Sequence, residues 1–206
     1  MHDEMFRFVR TYMENNNGEV SSFGVFPFRV RSDHIARVLM WTKRLSQNLS
    51  DTIDIESLYI AAIFHDVGYA NLAEGEKHAR NSAAFFNEYA VAHGICEEKR
   101  QFISYLIANH SDKNMLQSNE TPLELIILME ADLLDETGAL AIIWDSMMEG
   151  SKTEQSFTQT YEHIKNHSAE ILVNNPMVTD DGKYFWDEKQ RIVKDFIKQL
   201  ALDIGI

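Results

Sequence analysis

The stretch AAIFHDVG at residues 61–68 decides how the rest of the sequence is interpreted. It places an imidazole and a carboxylate, His65 and Asp66, side by side at the end of an apolar run with helical character. Burial of a carboxylate costs free energy unless the group is paired or bound to a metal ion. A metal ion is the simplest partner for both side chains. The sequence therefore predicts a metal site whose other ligands lie elsewhere in the chain.

The composition favours one helical globular domain. The 206 residues are enough for one sizeable core, and 45% apolar with 25% charged residues is ordinary for a soluble globular protein. Only 3 prolines and 9 glycines interrupt a chain rich in good helix formers. We therefore expect an all-α fold, a single-domain helical bundle over residues 1–206 with about eight helices.

The charge and the single cysteine limit the partners and the compartment. A net charge of -13 makes the protein a poor binder of a nucleic-acid polymer, because phosphate backbones need a basic surface. A small anionic substrate remains compatible, since a bound metal reverses the local field. Cys96 alone cannot form an internal disulfide, which fits a reducing cytoplasm. With no signal-peptide pattern and no apolar run of membrane-spanning length, we expect a cytoplasmic protein without a membrane partner. The oligomeric state is left open.

Hydrophobic spacing and capping residues predict the helices. Ser32 is expected to cap the second helix, Asp51 or Asp54 the third, and Gly68 to close the third. The helix that starts at Thr121-Pro122 is predicted to run as far as Met148. The others are predicted at residues 3–14, 33–49, 76–92, 96–109, 154–172 and 183–204, together with a helix that ends in His65-Asp66.

Four further polar residues lie on or beside the inward faces of other predicted helices: His34, His78, His110 and Asp132. A single histidine on such a face is more often a satisfied core residue than a ligand. The joint pattern is stronger, because helical folds build internal metal sites from nitrogen and carboxylate ligands on several packed helices. Without a thiolate, these ligands suit a divalent ion: Mn, Fe, Co, Ni, Mg or Zn.

Three phrases resemble the motifs of the HD-domain superfamily of metal-dependent phosphohydrolases, which is named after its histidine-aspartate pair. They are RSDHIARV at residues 31–38, FHDVG at 64–68 and EADLLD at 130–135. The resemblance covers about residues 30–140. His78 with Arg80 and Ser82, followed by NHS at residues 109–111, resembles a bacterial subgroup with two additional site histidines. The helices at residues 154–204 resemble the C-terminal helices of that subgroup less specifically.

The resemblance implies roles for the polar residues. His34, His65, Asp66 and Asp132 would bind a first metal ion. His78 and His110 would bind a second ion bridged by Asp66, or contact phosphate in an enzyme with one ion. As catalytic groups, Asp66 or a histidine would orient the attacking water, and His78 or His110 would protonate the leaving oxygen.

Cationic residues near the motifs are candidates for binding phosphate. Arg31 and Arg37 flank His34, and Lys77 and Arg80 flank His78, although each is equally compatible with a solvated surface. We favour Arg80 and Lys113 as substrate-binding residues because each lies within three residues of an expected ligand.

Two other features leave alternatives open. Asp135, one turn after Asp132, would hold a histidine N–H or contact substrate, or else be an exposed helix residue. His163 and His167 have i, i+4 spacing, but polar neighbours favour a solvated helix face.

The expected function is a divalent-metal-dependent phosphohydrolase acting on a small phosphate ester or anhydride. A nucleotide substrate, cleaved by a pyrophosphohydrolase or a nucleotidase, rests on family analogy. An alternative with the same six ligands is an HD-type di-iron oxygenase of a small molecule. A second alternative is an HD domain that senses a ligand without catalysis.

Overall fold

A computed structural model describes residues 2–16, 30–49, 51–70 and 77–206. All regular structure in these ranges is helical, which confirms the predicted all-α fold. The described ranges contain ten α-helices and two short 3₁₀ helices, where about eight helices are expected from the sequence. None of the described helices combines the length and the apolar character that a membrane crossing requires.

The chain divides into two compact units, Met1–Asp132 and Leu133–Ile206. The prediction of one domain over residues 1–206 stays a prediction. The first unit contains α1 (His2–Asn15), α2 (Arg31–Leu45), α3 (Ile55–Phe64), α4 (His78–Ala92), α5 (Glu97–Asn109), most of α6 (Leu123–Asp135), and 3₁₀ helices at Val67–Tyr69 and Lys113–Gln117. The second unit contains α7 (Ala139–Gly150), α8 (Phe157–Asn166), α9 (Ser168–Ile171) and α10 (Asp180–Ile204).

Helix α3 is the central helix of the first unit and packs against α1, α2 and α5. Asp54 is its N-cap, as the sequence predicts, and accepts hydrogen bonds from the backbone N–H of Ser57 at 3.0 Å and from its hydroxyl at 2.5 Å. Such a cap contributes about 1 kcal/mol. Leu58 and the residues from 60 to 64 are buried, because the helix is apolar on all sides. The end of α3 therefore delivers His65 and Asp66 into the interior of the unit.

Gly68 allows the turn after α3 to lie directly on α4. A Cβ atom at Gly68 would stand 2.2 Å from the carbonyl oxygen of His78 and 2.4 Å from the backbone nitrogen of Ser82. The backbone N–H of Gly68 instead donates to the Ser82 hydroxyl at 2.8 Å. Because only glycine fits here, the His65-Asp66 pair lies close to the first turn of α4.

Both boundaries of α2 differ from the prediction. Ser32 is not a cap: α2 begins at Arg31 after an extended Val30, and Ser32 is buried inside the helix. The helix also ends at Leu45, four residues before the predicted end. An extended N-cap without a side-chain hydrogen bond leaves no sequence marker of the kind that a capping serine provides.

The predicted long helix from Thr121 to Met148 is wrong. Helix α6 ends at Asp135, and α7 begins at Ala139. Between them, Gly138 has φ +71°, a conformation that favours glycine and ends a helix. A Cβ atom at Gly138 would also stand 2.8 Å from Cγ of Lys189, so α10 occupies the space beside this turn.

In the second unit, His163 does not lie on a solvated face as the sequence predicts. Its Nε2 atom lies 3.4 Å from Oδ1 of Asp145, and its Nδ1 atom lies 3.1 Å from Oε1 of Glu149. Both carboxylates belong to α7 and are buried. Ser168 donates its hydroxyl to the other oxygen of Asp145 at 2.5 Å. His167 is exposed, as expected.

Candidate metal centre

Two pairs of histidines lie on either side of Asp66. The Nε2 atoms of His34 and His65 are 3.3 Å apart, and those of His78 and His110 are also 3.3 Å apart. Oδ2 of Asp66 lies 3.4 Å from Nε2 of His34, while Oδ1 lies 3.4 Å from Nε2 of both His78 and His110. Nε2 of His65 lies 3.7 Å from Oδ1. One carboxylate thus faces all four imidazoles.

Helix ends place most of these side chains. His65 and His110 are the C-caps of α3 and α5, and His78 is the first residue of α4. His34 lies in the first turn of α2. Asp132 comes from α6, and its Oδ1 atom lies 3.4 Å from Nε2 of His34. All six residues predicted as ligands are therefore brought into one cluster.

Backbone carbonyl groups fix the tautomers of two histidines. Nδ1 of His65 lies 2.8 Å from the carbonyl oxygen of Ala62, and Nδ1 of His110 lies 2.7 Å from that of Ile107. A carbonyl oxygen can only accept, so each Nδ1–H donates. In a neutral ring this leaves the Nε2 lone pair facing the cluster, which is the form that binds a metal ion.

The pKa values of the cluster favour the same forms. Burial, with smaller contributions from the nearby His110 and His34, lowers the pKa of His65 to about 4 against the attraction of Asp66. Burial also lowers the pKa of His78, with Asp66 opposing and His110 and Arg31 assisting. Near neutral pH, His65 and His78 are therefore uncharged and able to donate a lone pair.

Both carboxyl groups of the cluster are ionised near neutral pH. Burial opposes the ionisation of Asp66, but at the low pH where it would take up a proton the imidazoles beside it are protonated; the charge of His65 and hydrogen bonds from His110 and His34 then hold its pKa well below the ordinary value. Burial likewise opposes the ionisation of Asp132. The charge of Lys113 and the hydrogen bond from His34 outweigh this effect of burial and hold the pKa of Asp132 well below its ordinary value. Carboxylates and neutral imidazoles together are ligands for a divalent cation.

The donor atoms form two groups that fit a metal ion. One group consists of His34, His65 and Asp66, and the other of Asp66, His78 and His110; within each, the ligand atoms lie within 4.8 Å of one another. Asp66 belongs to both groups. This nitrogen and oxygen donor set suits one divalent ion, or two ions that share a carboxylate.

The residues predicted to bind substrate have different surroundings. Nζ of Lys113 lies 2.6 Å from Oδ2 of Asp132 and 2.9 Å from the carbonyl oxygen of His110, so Lys113 belongs to the cluster. Arg80 is exposed, and its side chain makes no polar contact with the described part of the chain. Asp135 is 2% exposed, which excludes the alternative that it is an exposed helix residue.

Three further residues lie near the cluster. Nη1 of Arg31 lies 3.0 Å from Oδ2 of Asp66. The Tyr69 ring stacks on the ring of His78, and the Ser111 hydroxyl oxygen lies 3.1 Å from Nε2 of His78. Arg31 stands three residues before His34, on the same side of α2. Arg37 stands three residues after His34, so this i, i+3 spacing does not distinguish the two arginines.

The helical fold and this cluster define a helical protein of the histidine–aspartate class whose side chains could hold a metal ion. The HD domain family matches residues 31–137, slightly more than half of the chain and all six predicted ligands. The chain belongs to the HD domain family, as the resemblance of its motifs indicates. No curated protein matches the chain significantly.

Solved structures share the fold over nearly the whole chain. An HD-superfamily hydrolase from Bacillus thuringiensis aligns with a TM-score of 0.69 at 20% identity, covering 99% of this chain and 96% of that one. Bacillus subtilis YpgQ in complex with ADP aligns with a TM-score of 0.67 at 20% identity, covering 98% of this chain and 94% of that one. A predicted HD superfamily hydrolase from an uncultured Thermotogales bacterium aligns with a TM-score of 0.65 at 19% identity, covering 98% of this chain and 92% of that one. The chain therefore has the fold of HD-superfamily hydrolases.

Proposed function

We propose that this protein is a divalent-metal-dependent phosphohydrolase that cleaves a phosphate ester or anhydride in a nucleotide. The observation that carries the proposal is the convergence of His34, His65 and Asp66, with Asp132 3.4 Å from His34. Near neutral pH, His65 is uncharged and Asp66 and Asp132 are ionised, as metal ligands are. A bound divalent cation supplies positive charge that polarises a phosphoryl oxygen and lowers the pKa of a water molecule.

The chain itself supplies the rest of the chemistry. Asp66 is held by Arg31 and His34 on Oδ2, so its Oδ1 atom is oriented toward His78 and His110. From this position Asp66 accepts a hydrogen bond from the attacking water and aligns it. Burial of Asp66 and His65 limits the access of other water to this side of the cluster.

His78 and His110 act on the opposite side of Asp66. Two roles fit their geometry: together with Asp66 they would hold a second cation, or they would contact the phosphate and protonate the leaving oxygen. The Ser111 hydroxyl lies 3.1 Å and 3.2 Å from their Nε2 atoms, which marks a position between the rings where a polar atom fits. The number of bound metal ions separates the two roles.

Cationic residues neutralise the substrate. Lys113 reaches the cluster directly and can move between Asp132 and a phosphate oxygen, because its flexible side chain is partly exposed. Arg80 would contact the more distant part of a substrate from the surface. The predicted role of Asp135 in substrate binding remains part of the proposal.

The nucleotide substrate is supported by two observations. Bacillus subtilis YpgQ, whose fold is similar, was crystallised with ADP. A net charge of -13 is compatible with a small phosphate compound bound at a cationic centre, but not with a nucleic-acid polymer.

The test is a screen of the Mn²⁺- or Co²⁺-supplemented protein against nucleotides and general phosphoesters, with released phosphate and pyrophosphate measured separately. We expect release from at least one nucleotide and none from the Asp66→Asn variant. If no phosphate compound is cleaved, or if Asp66→Asn retains the activity, the proposal fails.

The sharing of Asp66 between two ligand groups also favours a second candidate, a di-iron oxygenase of a small molecule. Purified protein would then hold two irons per chain and consume dioxygen. A protein that binds nucleotide tightly but turns over nothing would instead be a ligand sensor.

A further inference from the structure

We infer that Arg31, held against the ring of Tyr69, is a phosphate-binding residue for the anionic substrate of this site. The inference rests on the phosphohydrolase function proposed above and assigns a specific role to Arg31, which the sequence offers only as one of several candidate cations. It follows from the position of the guanidinium, from the stack that holds it, and from its remaining hydrogen-bond donors.

The guanidinium of Arg31 lies at the centre of the site. Arg31 is the first residue of α2, and its Nη1 atom is 3.0 Å from Oδ2 of Asp66, the carboxylate that both ligand groups share. Its side chain is 13% exposed, so the group is largely removed from bulk water but still reachable. A charge in such a place interacts more strongly with a ligand than a charge on the surface.

Aromatic stacking fixes the orientation of this guanidinium. Cζ of Arg31 lies 4.0 Å above the centroid of the Tyr69 ring. The Tyr69 ring stacks on the imidazole of His78, with centroids 4.3 Å apart and planes inclined by 13°. Tyr69 therefore contacts both the arginine and a residue of the second ligand group. A cation over an aromatic face is attracted to it, and the flat guanidinium is favoured in this arrangement.

The remaining donors of Arg31 are suited to phosphate. A guanidinium has five N–H donors in a rigid plane, a geometry that matches two oxygens of a phosphate. Within the described residues, Asp66 is the one polar group that Arg31 contacts through its side chain. Lys113, by comparison, is engaged with Asp132 and the carbonyl of His110, and Arg80 is exposed. Arg31 is thus the cation whose donors are best placed beside Asp66 and His78.

The experiment separates substrate contact from mere support of Asp66. Mn²⁺ affinity is measured by the electron paramagnetic resonance of free Mn²⁺, and ADP affinity by calorimetry on Mn²⁺-saturated protein. The variants are Arg31→Ala and Arg31→Lys. Arg44→Ala is the matched control, because Arg44 lies on the same helix with Cζ 4.8 Å over the Trp41 ring but near the opposite end of α2.

We expect Arg31→Ala to raise the dissociation constant of ADP by about tenfold to a hundredfold, the usual effect of losing a charge-assisted hydrogen bond. Mn²⁺ affinity should not fall, because the alanine leaves Asp66 available to the metal ion. Arg31→Lys should recover only part of the ADP affinity, since lysine lacks the planar pair of donors. Arg44→Ala should match the wild type in both measurements.

A parallel loss of Mn²⁺ and ADP affinity in both Arg31 variants would overturn the inference, because Arg31 would then only hold Asp66 in place. An ADP affinity unchanged by Arg31→Ala would overturn it as well.

Tyr69→Phe should bind ADP like the wild type, whereas Tyr69→Leu should bind it roughly fivefold more weakly. Equal losses in both variants would contradict the role of the ring.

Failure of this inference is distinguishable from failure of the proposed function. If the wild type cleaves nucleotides while Arg31→Ala keeps its KM and its ADP affinity, the function stands and the inference fails. If no phosphate compound is cleaved but ADP binding depends on Arg31, the inference about ligand contact stands and the hydrolase function fails.

Discussion

The Nε2 atoms of His78 and His110 lie 3.3 Å apart, and both face Oδ1 of Asp66 at 3.4 Å. His34 and His65 repeat the 3.3 Å separation on the other side, with His34 facing Oδ2 of the same carboxylate. Asp66 therefore takes part in both halves of the site, whereas each histidine pair takes part in one. Substitutions at these positions should therefore distinguish the contribution of each half of the site.

Replacement of Asp66 by asparagine should remove bound metal altogether. The amide keeps the size of the side chain but loses the charge that both ligand groups share. We expect the metal content of the purified variant, measured by inductively coupled plasma mass spectrometry, to fall to background. Asp33→Asn is the control, because Asp33 is an exposed carboxylate beside His34 on the same helix. Retention of stoichiometric metal by Asp66→Asn would show that the site is assigned wrongly.

Replacement of His78 or His110 by alanine should decide the role of the second pair. If these residues act on phosphate, metal stoichiometry stays at one and kcat falls by roughly 10²–10⁴-fold, the usual contribution of a general acid. If they bind a second cation, wild-type protein contains two ions and each variant contains one. Full activity with full metal content in both variants would remove the pair from the mechanism.

The stability of the protein kept in a chelator should fall on acidification below the ordinary pKa of histidine. The pKa of His65 is about 4 in the folded chain against 6.5 ordinarily. Between these values the unfolded chain binds a proton that the folded chain does not, so the free energy of unfolding rises with pH. The full effect is roughly 3 kcal/mol. The lowered pKa of His78 acts in the same direction.

Urea denaturation at a series of pH values from 4 to 7 measures this dependence. The His65→Asn variant should show a smaller slope, because it lacks the group that titrates. An equal slope in the variant and the wild type would mean that other groups dominate the acid loss of stability.

Replacement of Gly68 by alanine should disturb both the fold and the site. The added Cβ atom would meet the backbone of His78 and Ser82 at 2.2 Å and 2.4 Å, and backbone cannot yield as a flexible side chain does. We expect a loss of about 1–3 kcal/mol in thermal or urea unfolding, together with weaker metal binding. Gly150→Ala is the control, because nothing lies within 4 Å of its Cβ position. Two variants of equal stability would contradict the close approach of the turn to α4.

Replacement of His163 by glutamine should destabilise the second unit. The change leaves the buried Asp145 and Glu149 carboxylates without the imidazole that lies between them, and removal of a polar partner from a buried group costs about 1–3 kcal/mol. His167→Gln, four residues later and exposed, should be neutral. Urea unfolding of the two variants gives the comparison. Similar stability of both variants would show that the contacts of His163 with the carboxylates do not contribute to stability.

Several residues of the cluster could be located from the sequence because they interrupt an apolar helical pattern, whereas their roles as ligands come from the family resemblance and stay a prediction. His34, His65 and Asp132 are visible as polar residues on inward faces, and helical spacing assigns them to different elements. The all-α fold follows from the same periodicity. Both are local properties, which a single sequence displays directly.

Contacts between distant residues were not accessible. Arg31 and Asp66 are 35 positions apart. Nothing in the local sequence distinguishes Arg31 from Arg37, the other arginine that flanks His34. The helix break at Gly138 depends partly on Lys189, about fifty residues later, and the burial of His163 depends on carboxylates of another helix. Helical periodicity identifies the face of an element but not the partner that covers it.

The hydrogen bonds from His65 to Ala62 and from His110 to Ile107 each span three residues within one helix end. Each helix thus fixes Nε2 as the nitrogen that keeps a free lone pair in its own terminal histidine, using a carbonyl group that the end of a helix leaves unpaired. This tautomer does not depend on neighbouring helices. Residues elsewhere around the cluster can consequently change while these two nitrogens keep their chemical form.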